Sequence, residues 1–70
     1  MRLSVSEVIA ITKEFLTKEA GFSGVRVSSA VAIEAEANWK VVVEIGQPTS
    51  DRKEIIIDDK DGKIVSYKQA

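Results

Sequence analysis

The stretch that decides the fold is VRVSSAVAIEAEANWKVVVEI, residues 25–45, in which apolar residues recur at nearly every second position. A period of two is typical of a β-strand with one buried face. Two such runs are separated by Ala37 and Asn38, and asparagine readily adopts a positive φ. The stretch therefore predicts a β-hairpin, with strands over residues 25–35 and 39–45 and a tight turn between them.

The alternation assigns every residue of this hairpin to one of two faces. One face of the first strand takes Val25, Val27, Ser29, Val31, Ile33 and Ala35. The other takes Arg26, Ser28, Ala30, Ala32, Glu34 and Glu36. In the second strand the large residues share a face that we expect to be the core face: Trp39, Val41, Val43 and Ile45. Lys40, Val42 and Glu44 lie on the opposite face, and Trp39 is predicted to be a core residue rather than a stacking platform.

Two more strands follow in the sequence. Residues 46–51 predict the longest loop, residues 53–58 a third strand, and residues 63–68 a fourth strand. In the fourth strand, alternation places Val65 and Tyr67 on one side and Ile64 and Ser66 on the other. Short connections favour antiparallel neighbours in sequence order, unless the loop over residues 46–51 crosses the sheet.

The first twenty residues predict one amphipathic helix that covers the sheet. Ser4 and Glu7 have the spacing of a capping box, and Leu3 and Val8 that of a hydrophobic staple. Gly21 can supply the left-handed residue that ends many helices, with Phe22 folding back on the last turn. At 3.6 residues per turn one face carries Val5, Val8, Ile9, Ile11, Thr12, Phe15 and Leu16.

The resulting expectation is an α+β fold in a single domain, residues 1–70. One N-terminal helix packs on one face of a four-stranded antiparallel meander, in the order α-β-β-β-β. Seventy residues allow one small core, which we expect to include Val8, Phe15, Val41 and Val43. Repeats, low-complexity tracts and linkers are absent from the sequence.

The composition argues against several classes of function. The chain has no cysteine and no histidine, so disulfides, thiolate chemistry and imidazole catalysis are excluded. Ten basic and eleven acidic residues give a net charge of −1, which argues against nucleic-acid binding. The sequence has neither a secretory signal pattern nor an apolar run long enough for membrane insertion, so we expect a cytoplasmic protein. We expect no enzymatic activity and no cofactor.

Two acidic groups are candidates for catalytic or metal sites. Asp58, Asp59, Asp61 and Gly62 resemble part of a calcium loop, but Lys68 occupies the position of its final glutamate ligand. A polar hairpin turn, with Gly62 at a positive φ, is therefore the expectation. Three further carboxylates are predicted to share a face with basic residues, as in ordinary cross-strand pairing. They are Glu34, Glu36 and Glu44.

The most informative surface is the sheet face that a single helix leaves uncovered. Five small or aliphatic residues are predicted to lie there, within a rim of charged side chains: Ala30, Ala32, Val42, Ile56 and Ile64. An apolar patch with a charged rim is typical of a protein-binding surface. It would bind a protein partner or a second copy of the chain, and a sheet edge offers a second route by strand addition. Isolated aliphatic residues also occur on open antiparallel faces without any binding role.

The chain also resembles a known family. NWKVVVEI, residues 38–45, is similar to the D-G-W-x-V-x-V-E-V strand of the gas vesicle protein O family. IIIDDKDGKIVSY, residues 55–67, is similar to the family's Y-E-V-x-L-D-x-D-G-x-L-x-x-Y ending. The resemblance implies a non-catalytic accessory protein that acts by protein binding or assembly.

A second resemblance is to PepSY domains. These combine a leading helix, an apolar strand pair and a closing v-D-x-x-x-G-x-v hairpin, which residues 57–65 match. This resemblance implies a module that inhibits or regulates a peptidase. A third hypothesis, from the residues alone, is a small-molecule carrier with a pocket between helix and sheet near Trp39.

Overall fold

The computed structural model describes residues 2–19, 21, 24–45 and 51–70. Helix α1 spans Val5–Lys18 and is followed by strands β1, Arg26–Ile33, and β2, Asn38–Ile45. A short 3₁₀ helix, Glu34–Glu36, lies between these two strands. Strands β3, Asp51–Asp58, and β4, Ile64–Gln69, complete the fold. The predicted α+β architecture of one helix followed by four strands is confirmed.

The four strands form one antiparallel sheet in the order β1-β2-β3-β4. Strands β2 and β3 pair along their whole length, from Asn38 opposite Asp58 to Ile45 opposite Asp51. These two strands are therefore neighbours, and the predicted meander is confirmed. The loop predicted over residues 46–51 lies outside the described residues, except for Asp51, which is the first residue of β3. The two central strands are β2 and β3, while β1 and β4 form the edges.

Helix α1 begins at the predicted capping box. The Glu7 N–H donates to the Ser4 hydroxyl oxygen at 3.2 Å, and the Ser4 N–H donates to the Glu7 carboxylate at 2.9 Å. The helix ends at Lys18, where the N–H of Glu19 donates to the carbonyl of Phe15. Gly21 has the predicted positive φ of 73°, but it lies two residues beyond the C-cap. The contact expected of Phe22 lies outside the described residues.

The buried stripe of α1 is narrower than the sequence predicts. Val8, Thr12 and Leu16 are fully buried, and the Thr12 hydroxyl donates to the carbonyl of Val8 at 2.8 Å. Val5, which the sequence places on the apolar face of α1, is 49% exposed and does not pack against the core. At this end of the helix the residue packed against the core is Leu3, which precedes the cap.

The core lies between α1 and the facing side of the sheet. Its buried apolar members come from the helix and the two central strands: Val8, Leu16, Trp39, Val41, Val43, Ile45, Ile55 and Ile57. Phe15 is half-buried and packs edge-on against Tyr67 of β4, with ring centroids 5.3 Å apart. Of the four core residues predicted, Phe15 is the one that the helix leaves partly exposed.

The turn between β1 and β2 differs from the prediction. The first strand ends at Ile33, and the chain closes through the 3₁₀ helix rather than through a two-residue turn. The residue with a positive φ is Ala37, at 53°, and Asn38 is already the first residue of β2. Asparagine adopts this conformation more readily than alanine. The left-handed position nevertheless falls on Ala37, because it is the residue that directly follows the 3₁₀ helix.

Both edge strands contain a β-bulge that reverses the predicted alternation. In β1 the register shifts between Val27 and Ser29, so Ser28 has no directly opposed partner. In β4 the partners of Ile56 and Ile57 are Ser66 and Ile64, so Val65 is the extra residue. A bulge adds one residue to one strand, and every residue beyond it changes face relative to a strict period of two.

Candidate functional site

The open face, as we call the sheet face opposite α1, is set by the central strands. Residues that alternate with the buried core positions of β2 and β3 must point away from the helix. They are Asn38, Lys40, Val42, Glu44, Arg52, Glu54, Ile56 and Asp58. No helix or strand in the described part of the chain lies over this face. The predicted positions of Val42 and Ile56 agree with the observed alternation.

Ala30, Ala32 and Ile64 do not lie on the open face, which corrects three of the five predicted positions. Ala30 is opposite Val41 and Ala32 is opposite Trp39, so both point towards the core. Ile64 is opposite the buried Ile57 and also packs against the core. The bulges in β1 and β4 are the physical reason, because each shifts the alternation by one residue.

The same bulge brings other aliphatic side chains to the open face. Val31, opposite Lys40, is 55% exposed, and Ile33, opposite Asn38, is half-buried. Together with Val42 and Ile56 they surround Lys40, whose aliphatic stem extends the apolar surface. A strict alternation predicts the opposite face for Val31 and Ile33, because no residue pattern in β1 marks the bulge at Ser28.

The charges of the open face alternate in sign between neighbouring strands. Arg26, Glu44 and Arg52 lie in one cross-strand row, and Glu54 and Lys68 lie in the next. The ammonium of Lys40 is 3.9 Å from the carboxylate of Glu54, at the centre of the face. Such an exposed pair contributes little to stability.

The predicted grouping of three glutamates on one sheet face is wrong. Glu34 and Glu36 lie in the exposed 3₁₀ helix rather than in β1, because the strand ends earlier than its alternation indicates. Glu44 alone remains on the open face, opposite Arg26. The three carboxylates therefore do not form one site.

The buried polar centre of the molecule is Asp59, which the sequence pattern places in an ordinary polar hairpin turn. Its side chain is 4% exposed and accepts three hydrogen bonds. The donors are the N–H of Arg2 at 2.6 Å, the N–H of Leu3 at 2.9 Å and the indole of Trp39 at 2.9 Å. A buried tryptophan usually needs an acceptor for its N–H, and that requirement was the available signal. One carboxylate thus joins the chain before α1, strand β2 and the β3–β4 hairpin.

The ionisation of Asp59 follows from these contacts. Burial by itself raises the pKa of a carboxyl group, but the hydrogen bonds from Arg2, Leu3 and Trp39 stabilise the carboxylate and outweigh it. The pKa of Asp59 is therefore held below its ordinary value of 3.8. A carboxylate that accepts three hydrogen bonds at neutral pH is suited to joining parts of a fold rather than to transferring protons.

The acidic turn before β4 is bonded to its own backbone, as a polar hairpin turn would be. The carboxylate of Asp58 accepts from the Lys60 N–H at 2.8 Å, and that of Asp61 accepts from the Lys63 N–H at 3.0 Å. Gly62 has a φ of 73°, as predicted, and a Cβ there would lie 3.1 Å from Ile11. Among the described residues no group of three potential ligands is placed to hold a metal ion.

A shallow groove lies beside α1 rather than next to Trp39. Its volume is about 310 Å³, and it is lined by Ile11, Glu14, Phe15, Lys18, Glu19 and Gly62. Trp39 is 6% exposed and does not line this groove. The carrier hypothesis expects a pocket next to Trp39, and this groove lies elsewhere on the molecule.

Comparison of the chain with protein-family models, curated proteins and solved structures found no match. Within the described residues, no helix is long and apolar enough to cross a membrane. Among the surfaces described above, the open face combines uncovered aliphatic side chains with a charged surround.

Proposed function

We propose that this chain is a small non-catalytic protein-binding module that acts through the open face. The observation that carries the proposal is the cluster of Val31, Ile33, Val42 and Ile56 on a face that no described element covers. Interfaces typically place apolar side chains at the centre and charged ones at the rim. The open face follows that arrangement, with Lys40 and Glu54 as its most central charges.

The rest of the molecule is consistent with a rigid support for such a face. The opposite side of the sheet is fixed by buried residues of both central strands, including Val41, Val43 and Ile55. Asp59 joins three separate segments behind the same sheet. A binding face on regular strands with a packed reverse side loses little conformational entropy when a partner binds.

The resemblances in the sequence suggest two partners for this role. Similarity to the gas vesicle protein O family favours an accessory role in gas vesicle assembly, and similarity to PepSY domains favours the inhibition or regulation of a peptidase. Both alternatives require protein binding without catalysis, and a cytoplasmic location would favour the first. A peptidase or gas vesicle operon next to the gene would discriminate between them.

Site-specific photo-crosslinking tests the proposed function. A photoreactive residue replaces Ser29, which is exposed on the open face beside Val42, and in a matched control replaces Thr17 on the exposed side of α1. We expect irradiation in the producing cells to give a defined protein adduct at Ser29 and none at Thr17. Absence of an adduct at Ser29, or equal adducts at both positions, would contradict the proposal.

A further inference from the structure

The open face carries charges of both signs. It carries four cations, Arg26, Lys40, Arg52 and Lys68, and three carboxylates, Glu44, Glu54 and Asp58. A face of one sign would repel a second copy, whereas interspersed charges of both signs can be paired across a twofold axis. This pattern favours a second copy of the chain over a strongly acidic or basic partner.

The positions of four central residues define how two copies would meet. Val42 and Ile56 lie on a diagonal across β2 and β3, and Lys40 and Glu54 lie on either side of that diagonal. A twofold axis along the diagonal, in the plane of the interface, places Val42 on Val42 and Ile56 on Ile56 of the other copy. The same operation places Lys40 of each copy over Glu54 of the other.

We propose that two copies pair through their open faces about this axis, with reciprocal Lys40–Glu54 contacts. The inference rests on the proposed binding function and names its partner. With ordinary strand and residue spacings, the strands of the two sheets cross at roughly 70°. That angle is near the orthogonal class of sheet packing. Arg26 lies on the extension of the same diagonal, so it meets Arg26 of the other copy at the edge of the interface.

The size of the face sets the strength of this pairing. Four strands at ordinary spacing are about 19 Å wide, and two such sheets that cross at roughly 70° overlap over roughly 400 Å² of each copy. Two copies would bury roughly 800 Å², which is less than stable specific interfaces bury. The dimer is therefore weak and dissociates on dilution.

Sedimentation velocity on a charge-exchange series tests the pairing. The series contains the wild type, Lys40→Glu, Glu54→Lys and the double variant, with Lys13→Glu on the exposed side of α1 as a control for net charge. Each single reversal apposes like charges across the axis, so we expect at least a roughly tenfold weaker dimer. The double variant should return to within about threefold of the wild type, and Lys13→Glu should not change the association.

A second variant tests the apolar centre. Ile56→Lys places two ammonium groups on the twofold axis, and we expect it to remain folded by circular dichroism while becoming monomeric. A wild type that stays monomeric at millimolar concentration, or a double reversal no better than the single ones, overturns the pairing. If the Ser29 adduct then contains a different protein, the binding function stands and self-pairing fails. Without any Ser29 adduct, both fail.

Discussion

The central strands and the edge strands of the sheet obey the same sequence alternation to different extents. In β2 every second residue from Trp39 to Ile45 is buried, and in β3 the buried Ile55 and Ile57 have the same spacing. In β1 and β4 a bulge at Ser28 or Val65 reverses the pattern. A strand paired on both sides must keep its register with two neighbours, whereas an edge strand has one neighbour and accommodates an extra residue. In this sheet, sequence alternation therefore predicts correctly which face a side chain lies on in the central strands, but not throughout the edge strands.

The largest expected effect compares neighbouring residues of the central strand β3. Ile55 is fully buried and Ile56 lies on the open face. We expect Ile55→Ala to lower the free energy of unfolding by about 2–5 kcal/mol, because it leaves a cavity in a small core. Ile56→Ala should cost less than about 1 kcal/mol. Urea denaturation measures both, and equal losses would show that β3 does not alternate as described.

The next effect tests the bulge in the edge strand β1. Ala30→Lys would place an ammonium group against Val41, and we expect it to cost about 2 kcal/mol or more. Val31→Lys changes an exposed side chain and should stay within about 0.5 kcal/mol of the wild type. A strict period of two predicts the opposite ranking. Thermal unfolding of the two variants at equal concentration therefore decides whether the bulge is present.

Asp59 joins the segment before α1 to strand β2 and to the β3–β4 hairpin, and its ionisation gives a pH-dependent test of these contacts. Its pKa is lower in the folded protein than its ordinary value of 3.8, so the carboxylate stabilises the fold above that pH. This contribution is lost as the pH falls from the ordinary value through the lower folded pKa. We expect Asp59→Asn to reduce Tm at pH 7 and to flatten this acid transition.

The matched control for Asp59 is Asp61→Asn, which alters an exposed carboxylate of the same turn. It should leave both Tm and the acid transition nearly unchanged. An Asp59→Asn variant that retains the wild-type difference in stability between pH 7 and pH 3 would contradict the assigned role of the hydrogen bonds from Arg2, Leu3 and Trp39.

The smallest effect concerns the connection from the edge strand to the central strand. Ala37 has a φ of 53°, a conformation that costs a non-glycine residue about 1–2 kcal/mol. Glycine relieves this strain but loses more entropy on folding, by about 0.5–1 kcal/mol. We expect Ala37→Gly to raise the free energy of unfolding by about 0.5 kcal/mol, measured by urea denaturation. If Ala37→Gly instead lowers the free energy of unfolding by a similar amount, Ala37 does not have the left-handed conformation described.

The sequence predicted most of the fold but only half of the aliphatic cluster on the open face. The capping box of Ser4 and Glu7, the strand order and the positive φ of Gly62 depend on local chemistry, which a sequence displays directly. Ala30 and Val31 were assigned to the wrong faces because a bulge depends on pairing with another strand. The role of Asp59 also escaped prediction, because its three donors are 20 or more residues away in sequence.

Nuclear magnetic resonance of the amide groups tests the central claim, that two copies of the chain associate through the open face. A dilution series from millimolar to low micromolar concentration would report which amides change environment on association. We expect concentration-dependent shifts around Val42, Ile56 and Lys40, and none on the exposed side of α1. Shifts confined to α1 or to the groove beside Phe15, with an unchanged open face, would contradict the account.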